Sequence, residues 1–152
     1  MVITLADRNC VQELANLFNK YRIFYGEETN LKEVEKFLES RFKNDDSVLI
    51  IARDKTKMSG FIQLYPSFSS VGMQRIWILN DLYVDVEFRR KKVASNLLKE
   101  AEKFAQKTGA LRLELATQTT NTAAQNLYES LGYIKNKDFF HYSFPIKSAS
   151  SN

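Results

Sequence analysis

The sequence predicts a single α/β domain in which helices cover both faces of a twisted sheet. The chain has 152 residues, of which 44% are hydrophobic, and this is the size of one domain that can bury a core. Amphipathic helical stripes alternate along it with short apolar runs, as in α/β folds. One run, from Arg75 to Val84, is apolar on both of its alternating faces. Such a strand is expected in the middle of a sheet with helices on both sides.

The start of the chain predicts one strand followed by two helices. Val2 to Leu5 is expected to be a short strand, and Asp7 or Asn9 is the expected cap of the helix after it. The apolar stripe of this first helix recurs at three- and four-residue intervals: Val11, Leu14, Ala15, Phe18 and Tyr21. A second helix begins at Asn30, whose side chain is expected to cap it while Glu33 reaches back. Its apolar face consists of Leu31, Val34, Leu38 and Phe42.

A hairpin and the long central strand are expected next. Val48–Ala52 and Gly60–Leu64 are apolar runs separated by a polar turn, which is typical of a β-hairpin. Pro66 and the segment from Ser67 to Gly72 predict a loop. Beyond this loop lies the strand from Arg75 to Val84, which is apolar on both faces.

Two more helices are predicted in the rest of the chain, with a strand between them. The third helix stops at Gly109 and carries its apolar face on Val93, Leu97, Ala101, Phe104 and Ala105. The strand is predicted by an alternation with polar residues at Leu111, Leu113 and Leu115. The fourth helix spans Thr122–Ser130, with Asn121 as its cap and Gly132 as its terminator.

The C-terminal region predicts one more strand. Phe140, Tyr142 and Phe144 alternate before Pro145, as apolar residues do on one face of a strand. The single domain is expected to span residues 1–147. Residues 148–152 are expected to form a frayed tail.

Composition argues against several kinds of site. The single cysteine, Cys10, cannot form an internal disulfide, and with one histidine, His141, it gives little support to a zinc site or a Cys/His catalytic pair. We therefore expect no metal and a structural role for both residues. No apolar run approaches the length of a membrane span, and the N-terminus lacks an export pattern. A cytoplasmic protein without membrane contact is expected.

A short basic loop joins the central strand to the third helix. The run Arg89–Lys92 follows the strand that ends at Val84, and it carries much of the excess behind the net charge of +4. Unpaired amides and the helix dipole at such a helix start attract phosphates, so a nucleotide-like ligand is the first hypothesis. A solvated charge run is the alternative. Nucleic acid is a distant third, because nucleic-acid surfaces usually spread cations along a face with interleaved aromatics.

The motifs within residues 80–94 and 121–133, together with the order of the elements, resemble the GNAT family of N-acetyltransferases, and the resemblance covers nearly the full length. The first motif is Asn80-Asp81-Leu82-Tyr83-Val84, followed after four residues by Arg89-x-x-Lys92-x-Ala94. The second is Asn121-x-x-Ala124-x-x-x-Tyr128-x-x-x-Gly132-Tyr133. Both look most like the branch that acetylates small amines, polyamines and histone tails. The resemblance implies a mixed, mostly antiparallel twisted sheet of about six to seven strands with helices on both faces.

The resemblance also implies transfer of acetyl from acetyl-CoA to a primary amine of a small molecule or lysine-bearing peptide, by direct attack in a ternary complex. Main-chain groups of Leu82, Tyr83 and Val84 would pair with the pantetheine arm, and an amide there would polarise the thioester carbonyl. Asn121 and Ala124 would also hold this arm. The diphosphate would be wrapped by a loop made of Arg89, Arg90, Lys91, Lys92, Val93 and Ala94. Family members often dimerise, so a homodimer is a further expectation.

Tyr128 and Asp81 are the candidate catalytic residues, and of the two only Tyr128 is implied by the resemblance. The Tyr128 hydroxyl would protonate the departing thiolate, and Asp81, the carboxylate nearest the reacting strand, would take a proton from the alkylammonium. Taken alone, the pattern around Tyr128 predicts a core aromatic on the stripe of its helix. Asp81 is equally explained as a buried acid satisfied by backbone N–H groups.

The basic loop departs from the family pattern at two positions. The family usually has glycine where this chain has Lys92, and commonly where it has Arg90, because glycine lets the backbone approach phosphates and tolerates positive φ. A second hypothesis therefore stays open. It is a non-catalytic module of the same fold that binds acyl-CoA or another polyanion.

Overall fold

The computed structural model describes residues 1–147, which contain five strands and four helices. In chain order these are β1 (Val2–Leu5), α1 (Val11–Phe24), α2 (Leu31–Asn44), β2 (Val48–Asp54), β3 (Lys57–Ser69), β4 (Gln74–Val84), α3 (Val93–Lys107), β5 (Leu113–Leu115) and α4 (Thr122–Ser130). The chain divides into two compact units, one from Met1 to Ala116 and one that begins at Thr117. The five strands and α1 to α3 belong to the first unit, and α4 belongs to the second. Of the helices in residues 1–147, none combines the length and the apolar character needed to cross a bilayer.

The strands of the first unit form one mixed sheet in the order β1-β2-β3-β4-β5. Neighbours from β1 to β4 run antiparallel, and β5 runs parallel to β4. Phe61 on β3 packs against Phe18 of α1, whereas a Cβ on the preceding residue, Gly60, would meet Leu97 of α3. Successive strand residues point to opposite faces, so helices cover both faces of the sheet. The α/β class and the mostly antiparallel sheet are confirmed.

The core between α1, α2 and the β2–β3 hairpin holds these elements together. Leu14, Leu38 and Phe61 are fully buried, and the Phe61 ring stacks on Phe18 with centroids 5.4 Å apart. The stripe predicted for α1 supplies four of its members to this core: Val11, Leu14, Ala15 and Phe18. Burial of a large apolar side chain contributes roughly 1.5–3 kcal/mol. The packing thereby fixes α1 against β3.

The helix caps differ from the predicted ones in a way that depends on tertiary contacts. The Asp7 carboxylate accepts from the amide of Asn9 at 2.9 Å, in a short 3-10 turn that precedes α1. Asn30 is the N-cap residue of α2, but its side chain makes no capping hydrogen bond. Its amide donates instead to the side-chain oxygen of Asn19 at 3.1 Å. The predicted capping box with Glu33 is therefore wrong, because α1 already supplies the acceptor for that amide.

The loop predicted from Pro66 to Gly72 is wrong over its first part. β3 continues through Pro66 to Ser69 and pairs with β4 along this whole length. The other neighbour, β2, ends opposite Leu64, so beyond that residue β3 has a partner on one side only. Proline is compatible with such an edge, where its missing N–H removes no ladder hydrogen bond.

The strand predicted at Phe140, Tyr142 and Phe144 is also wrong, since among residues 1–147 no strand follows β5. All three side chains are exposed. Alternation specifies the two faces of a strand, but a strand forms only where another edge supplies hydrogen-bond partners. The sheet consequently has five strands where about six to seven were expected. The tail predicted to fray, 148–152, lies outside the described residues.

Gly60→Ala should lower the free energy of unfolding by about 1–3 kcal/mol, because the new Cβ would meet the Tyr83 carbonyl oxygen at 2.8 Å and side chains of α3 at 3.2 Å. Urea unfolding followed by circular dichroism measures the change. Ser59→Ala is the matched control, since Ser59 is equally buried and its hydroxyl has no hydrogen-bond partner in the described part of the chain. Equal stability of the two variants would show that α3 does not approach β3 this closely.

Candidate functional site

The candidate site begins where β4 passes into the loop before α3. Asp85, the first residue after β4, is held from two sides: its amide donates to the Ser59 carbonyl at 2.9 Å, and its carboxylate accepts from Lys20 of α1 at 2.8 Å. The hydrogen bond with Asp85 raises the pKa of the Lys20 ammonium. Phe88, in the short turn that follows, is buried. These contacts anchor the start of the basic loop.

Two residues of the basic loop adopt the left-handed backbone conformation that usually favours glycine. Arg90 has a φ of 61° and Lys92 a φ of 63°. They stand at the two positions where the family resemblance leads one to expect glycine. A left-handed conformation costs an L-residue roughly 1–2 kcal/mol. The backbone of the loop therefore adopts the conformation expected for glycine, although the two residues carry cationic side chains.

The amides of the basic loop are available to an external acceptor. Among the described residues, no acceptor takes a hydrogen bond from the backbone N–H of Arg90, Lys91 or Lys92, and all three residues are exposed. Lys92, the N-cap residue of α3, makes no side-chain capping hydrogen bond. The first amides of a helix have no partner within it, and the helix dipole adds positive potential there. Such a group of donors favours an anion.

The cations of the basic loop are not neutralised by carboxylates. Within residues 1–147, no acidic side chain forms an ion pair with any of the four loop cations, Arg89 to Lys92. The Arg89 Nε donates to the Val84 carbonyl at 3.1 Å, and its guanidinium lies 5.5 Å from the ring centroid of Phe24 and 5.7 Å from that of Tyr83. Arg89 thus lies along the end of β4. The positive charge of the loop remains around the available amides.

Asp81 is a buried acid near the end of β4, with 6% of its surface exposed. β3 and β4 change register beside it: Asp81 lies opposite Gln63 and Leu79 opposite Leu64, which leaves Asn80 as a bulge residue. The carboxylate accepts from Gln63 Nε2 at 2.7 Å and from Asn80 Nδ2 at 3.1 Å. The donors that a buried carboxylate needs are therefore side chains, not the backbone N–H groups expected from the sequence.

Two tyrosines border Asp81. Burial raises the pKa of Tyr21 far above its ordinary value, and the charge of Asp81 and a hydrogen bond to that carboxylate raise it further. Burial, followed by the charge of Asp81, raises the pKa of Tyr65 to about 12. Both phenols are therefore protonated at neutral pH. Tyr21 also packs against Tyr83 and Tyr25, with ring centroids 5.8 and 5.1 Å away, so that the acid lies beside an aromatic wall.

Asn121 and Tyr128 belong to the second unit. The predicted bounds of α4, Thr122–Ser130, are confirmed, and the Asn121 side-chain oxygen caps the helix by accepting from the amide of Ala124 at 3.1 Å. Tyr128 follows about two turns along α4, and its ring packs against that of Tyr133 with centroids 5.8 Å apart. The roles of Asn121, Ala124 and Tyr128 towards a ligand stay predictions.

Sequence reasoning missed Gln63 and Tyr21 as partners of Asp81. Gln63 had a visible signal, because it is a polar residue within the apolar run from Phe61 to Leu64. Tyr21 had none, since it belongs to the predicted apolar stripe of α1 and its contact with Asp81 depends on how that helix packs. In the described part of the chain, no group of His, Cys, Asp and Glu side chains is arranged to hold a metal ion.

Known proteins are similar to this chain over almost its whole length. The sequence matches the Acetyltransferase (GNAT) family over residues 11–133. It is 43% identical to the uncharacterised N-acetyltransferase YhfO of Bacillus subtilis (strain 168), over 96% of this chain and 98% of that protein. A probable acetyltransferase of Haemophilus influenzae is 31% identical over 86% of each chain. The crystal structure of a probable acetyltransferase, 42% identical, superposes with a TM-score of 0.92 over 97% of this chain and 99% of that one.

Lys92→Gly should leave the free energy of unfolding unchanged or raise it by up to about 1 kcal/mol, because relief of the left-handed conformation offsets the entropy that glycine adds to the unfolded chain. Lys91→Gly is the matched control: it removes the same charge from the same loop at a residue without positive φ. This control should lose about 0.4–1 kcal/mol. Chemical denaturation measures both variants, and equal losses would contradict the left-handed conformation of Lys92.

Proposed function

The chain belongs to the GNAT family of acetyltransferases, and we propose that it transfers an acetyl group from acetyl-CoA to a primary amine of a small molecule or lysine-bearing peptide. The observation that supports acetyl-CoA is the set of available amides at Arg90, Lys91 and Lys92, at the start of α3 and among unneutralised cations. A diphosphate carries the charge opposite to that of the cations, and its oxygens accept hydrogen bonds from the amides. The amine attacks the thioester directly, so no nucleophilic side chain is needed.

The acyl donor is held chiefly by main-chain groups in this proposal. The amides of the basic loop, together with Val93 and Ala94 in the first turn of α3, take the diphosphate. Main-chain groups from Leu82 to Val84 take the pantetheine arm, as do Asn121 and Ala124. Acetyl-CoA supplies an activated thioester, and the chain orients it and polarises its carbonyl through an amide of β4.

Asp81 and Tyr128 move the protons of the reaction. An alkylammonium has a pKa of roughly 10 in water and must lose a proton before its nitrogen can attack. Asp81 accepts this proton through water, because the residue is only 6% exposed, and later releases it to solvent. Attack forms the C–N bond and breaks the C–S bond. Tyr128 gives its phenolic proton to the departing thiolate, and the second proton lost by the nitrogen restores the phenol.

A non-catalytic module that binds acyl-CoA or another polyanion is not supported. That hypothesis depended on the missing glycines of the basic loop, and the left-handed backbone of Arg90 and Lys92 removes its premise. The relatives that match most of this chain are described as acetyltransferases. We also propose that the protein is cytoplasmic and forms a homodimer. Light scattering of the purified protein measures the mass of the particle and hence the number of chains in it.

Acetyl-CoA at one hundred times its Kd should raise the free energy of unfolding by about 2.7 kcal/mol, which thermal unfolding measures.

Lys92→Glu should weaken the binding of acetyl-CoA by about tenfold or more, because it puts a carboxylate beside the amides that take the diphosphate. Lys107→Glu makes the same charge change in the last turn of α3 and should bind as the wild type does. Absence of stabilisation, or equal affinities of the two variants, would contradict the proposed diphosphate site.

Tyr128→Phe should lower kcat by about 10²- to 10⁴-fold and leave the affinity for acetyl-CoA unchanged, because only the proton for the thiolate is lost. Turnover is measured as thiol release with polyamines, amino acids, aminoglycosides and lysine-bearing peptides as acceptors. Tyr142→Phe, which alters an exposed tyrosine of the second unit, is the control and should turn over as the wild type does. Unchanged turnover in Tyr128→Phe removes Tyr128 as the acid.

A further inference from the structure

Gln63 is a fully buried amide in a stretch of β3 that is otherwise apolar. Its neighbours Phe61, Ile62 and Leu64 are fully buried as well. Moving an amide from water into such surroundings costs roughly 1–3 kcal/mol unless new hydrogen bonds replace those to water. Leucine or methionine would fill a similar volume without this cost, so a polar residue at this position requires a physical reason.

The partner of Gln63 lies directly opposite on β4. Gln63 is in register with Asp81, next to the bulge at Asn80, and its Nε2 donates to Asp81 Oδ2 at 2.7 Å. An ionised carboxylate only accepts hydrogen bonds. The amide nitrogen must therefore face Asp81, and the amide oxygen must face away from it.

The amide oxygen of Gln63, which faces away from Asp81, lacks a hydrogen-bond donor. Gln63 Oε1 is buried and has no hydrogen-bond partner among the described residues. An unpaired buried acceptor is unfavourable, so this residue carries a cost in stability that its hydrogen bond to Asp81 must offset. Asp81 has room for one more donor, because it accepts from Gln63, Asn80 and Tyr21 and a carboxylate has about four acceptor positions.

We propose that Gln63 is a positioning residue, which fixes the Asp81 carboxylate at the bulge of β4 in the orientation in which it takes the proton of the acceptor amine. This inference rests on the proposed function, in which Asp81 is the base. The alkylammonium gives one proton to Asp81 through water, as in the proposed function. No other bond forms or breaks, and the Gln63 amide keeps its protons throughout.

Tyr21 does not carry the proton to Asp81. Burial, and after it the charge of Asp81, hold the pKa of Tyr21 far above neutrality, so this phenol stays protonated and serves as a hydrogen-bond donor to the acid. The nearly complete burial of Asp81 also prevents broad direct contact with an amine.

The pH dependence of kcat/KM for Gln63→Met tests the inference, with acetyl-CoA and spermidine, or with a lysine-bearing peptide if only that acceptor is turned over. Loss of a donor disfavours the charged carboxylate, so the acid limb should move to higher pH by about one unit. The plateau should fall about tenfold, with the Kd of acetyl-CoA unchanged. Ser59→Ala also removes a buried oxygen without a partner among residues 1–147, but not opposite Asp81, and should keep the wild-type profile.

An Asp81→Asn background separates positioning from a general structural effect. If Gln63 acts through Asp81, adding Gln63→Met to Asp81→Asn causes no further loss of kcat/KM. A further loss as large as in the wild type overturns the inference, as does a wild-type pH profile for Gln63→Met. If Gln63→Met does not fold, Gln63→Asn replaces it, because the shorter amide cannot reach the carboxylate and should give the same shift.

The same experiment distinguishes failure of the inference from failure of the proposed function. A wild-type chain that acetylates none of the amines, or an Asp81→Asn variant with wild-type turnover, would overturn Asp81 as the base and the role of Gln63 with it. If turnover is normal and depends on Asp81, but the effects of Gln63→Met and Asp81→Asn are additive, only the role of Gln63 is overturned.

Discussion

The register of β3 against β4 determines where the chemically important groups of the first unit lie. One ladder places Gly60 opposite Val84 and Gln63 opposite Asp81. The first pair lets α3 approach the end of β4, because Gly60 has no side chain to hold the helix away. The second pair gives a buried acid a side-chain donor at 2.7 Å. A slip of one residue would turn the side chains of β4 to the opposite face, so the loop geometry and the environment of the acid depend on the same hydrogen bonds.

The loop before α3 shows how cations can stand where glycine is usual. The left-handed backbone of Arg90 and Lys92 is unfavourable for residues with a Cβ, and such strain persists where the surrounding structure over-determines it. Here the Lys20–Asp85 ion pair and the burial of Phe88 hold the start of the loop. The cations in turn add positive charge where amides and a helix dipole already favour an anion. Cationic residues in place of glycine therefore change the energy of the loop but leave the path of its backbone unchanged.

Buried polarity in the described part of the chain is concentrated around one acid. The buried polar residues are Ser59, Gln63 and Asp81, and two of the three are bonded to each other. In surroundings of low dielectric, satisfied hydrogen bonds strengthen and unsatisfied groups become costly. A purely apolar packing would avoid this risk, so stability alone does not explain the buried acid and its donors. Tyr21 of α1, which hydrogen-bonds to the acid, also packs against the rings of Phe61 and Tyr83.

The sequence by itself determined the features that depend on neighbours along the chain. These include α4 with its Asn121 cap, the end of β4 at Val84, and the two motifs that identify the family. Features that need a distant partner were decided only by the tertiary structure. Pro66 lies within β3 because β4 pairs with it, and the alternating aromatics around Tyr142 form no strand because alternation does not supply an edge. The donors of Asp81 belong to the same class, since a hydrogen bond requires atoms within about 3 Å, and only the sheet register and the packing of α1 bring those side chains together.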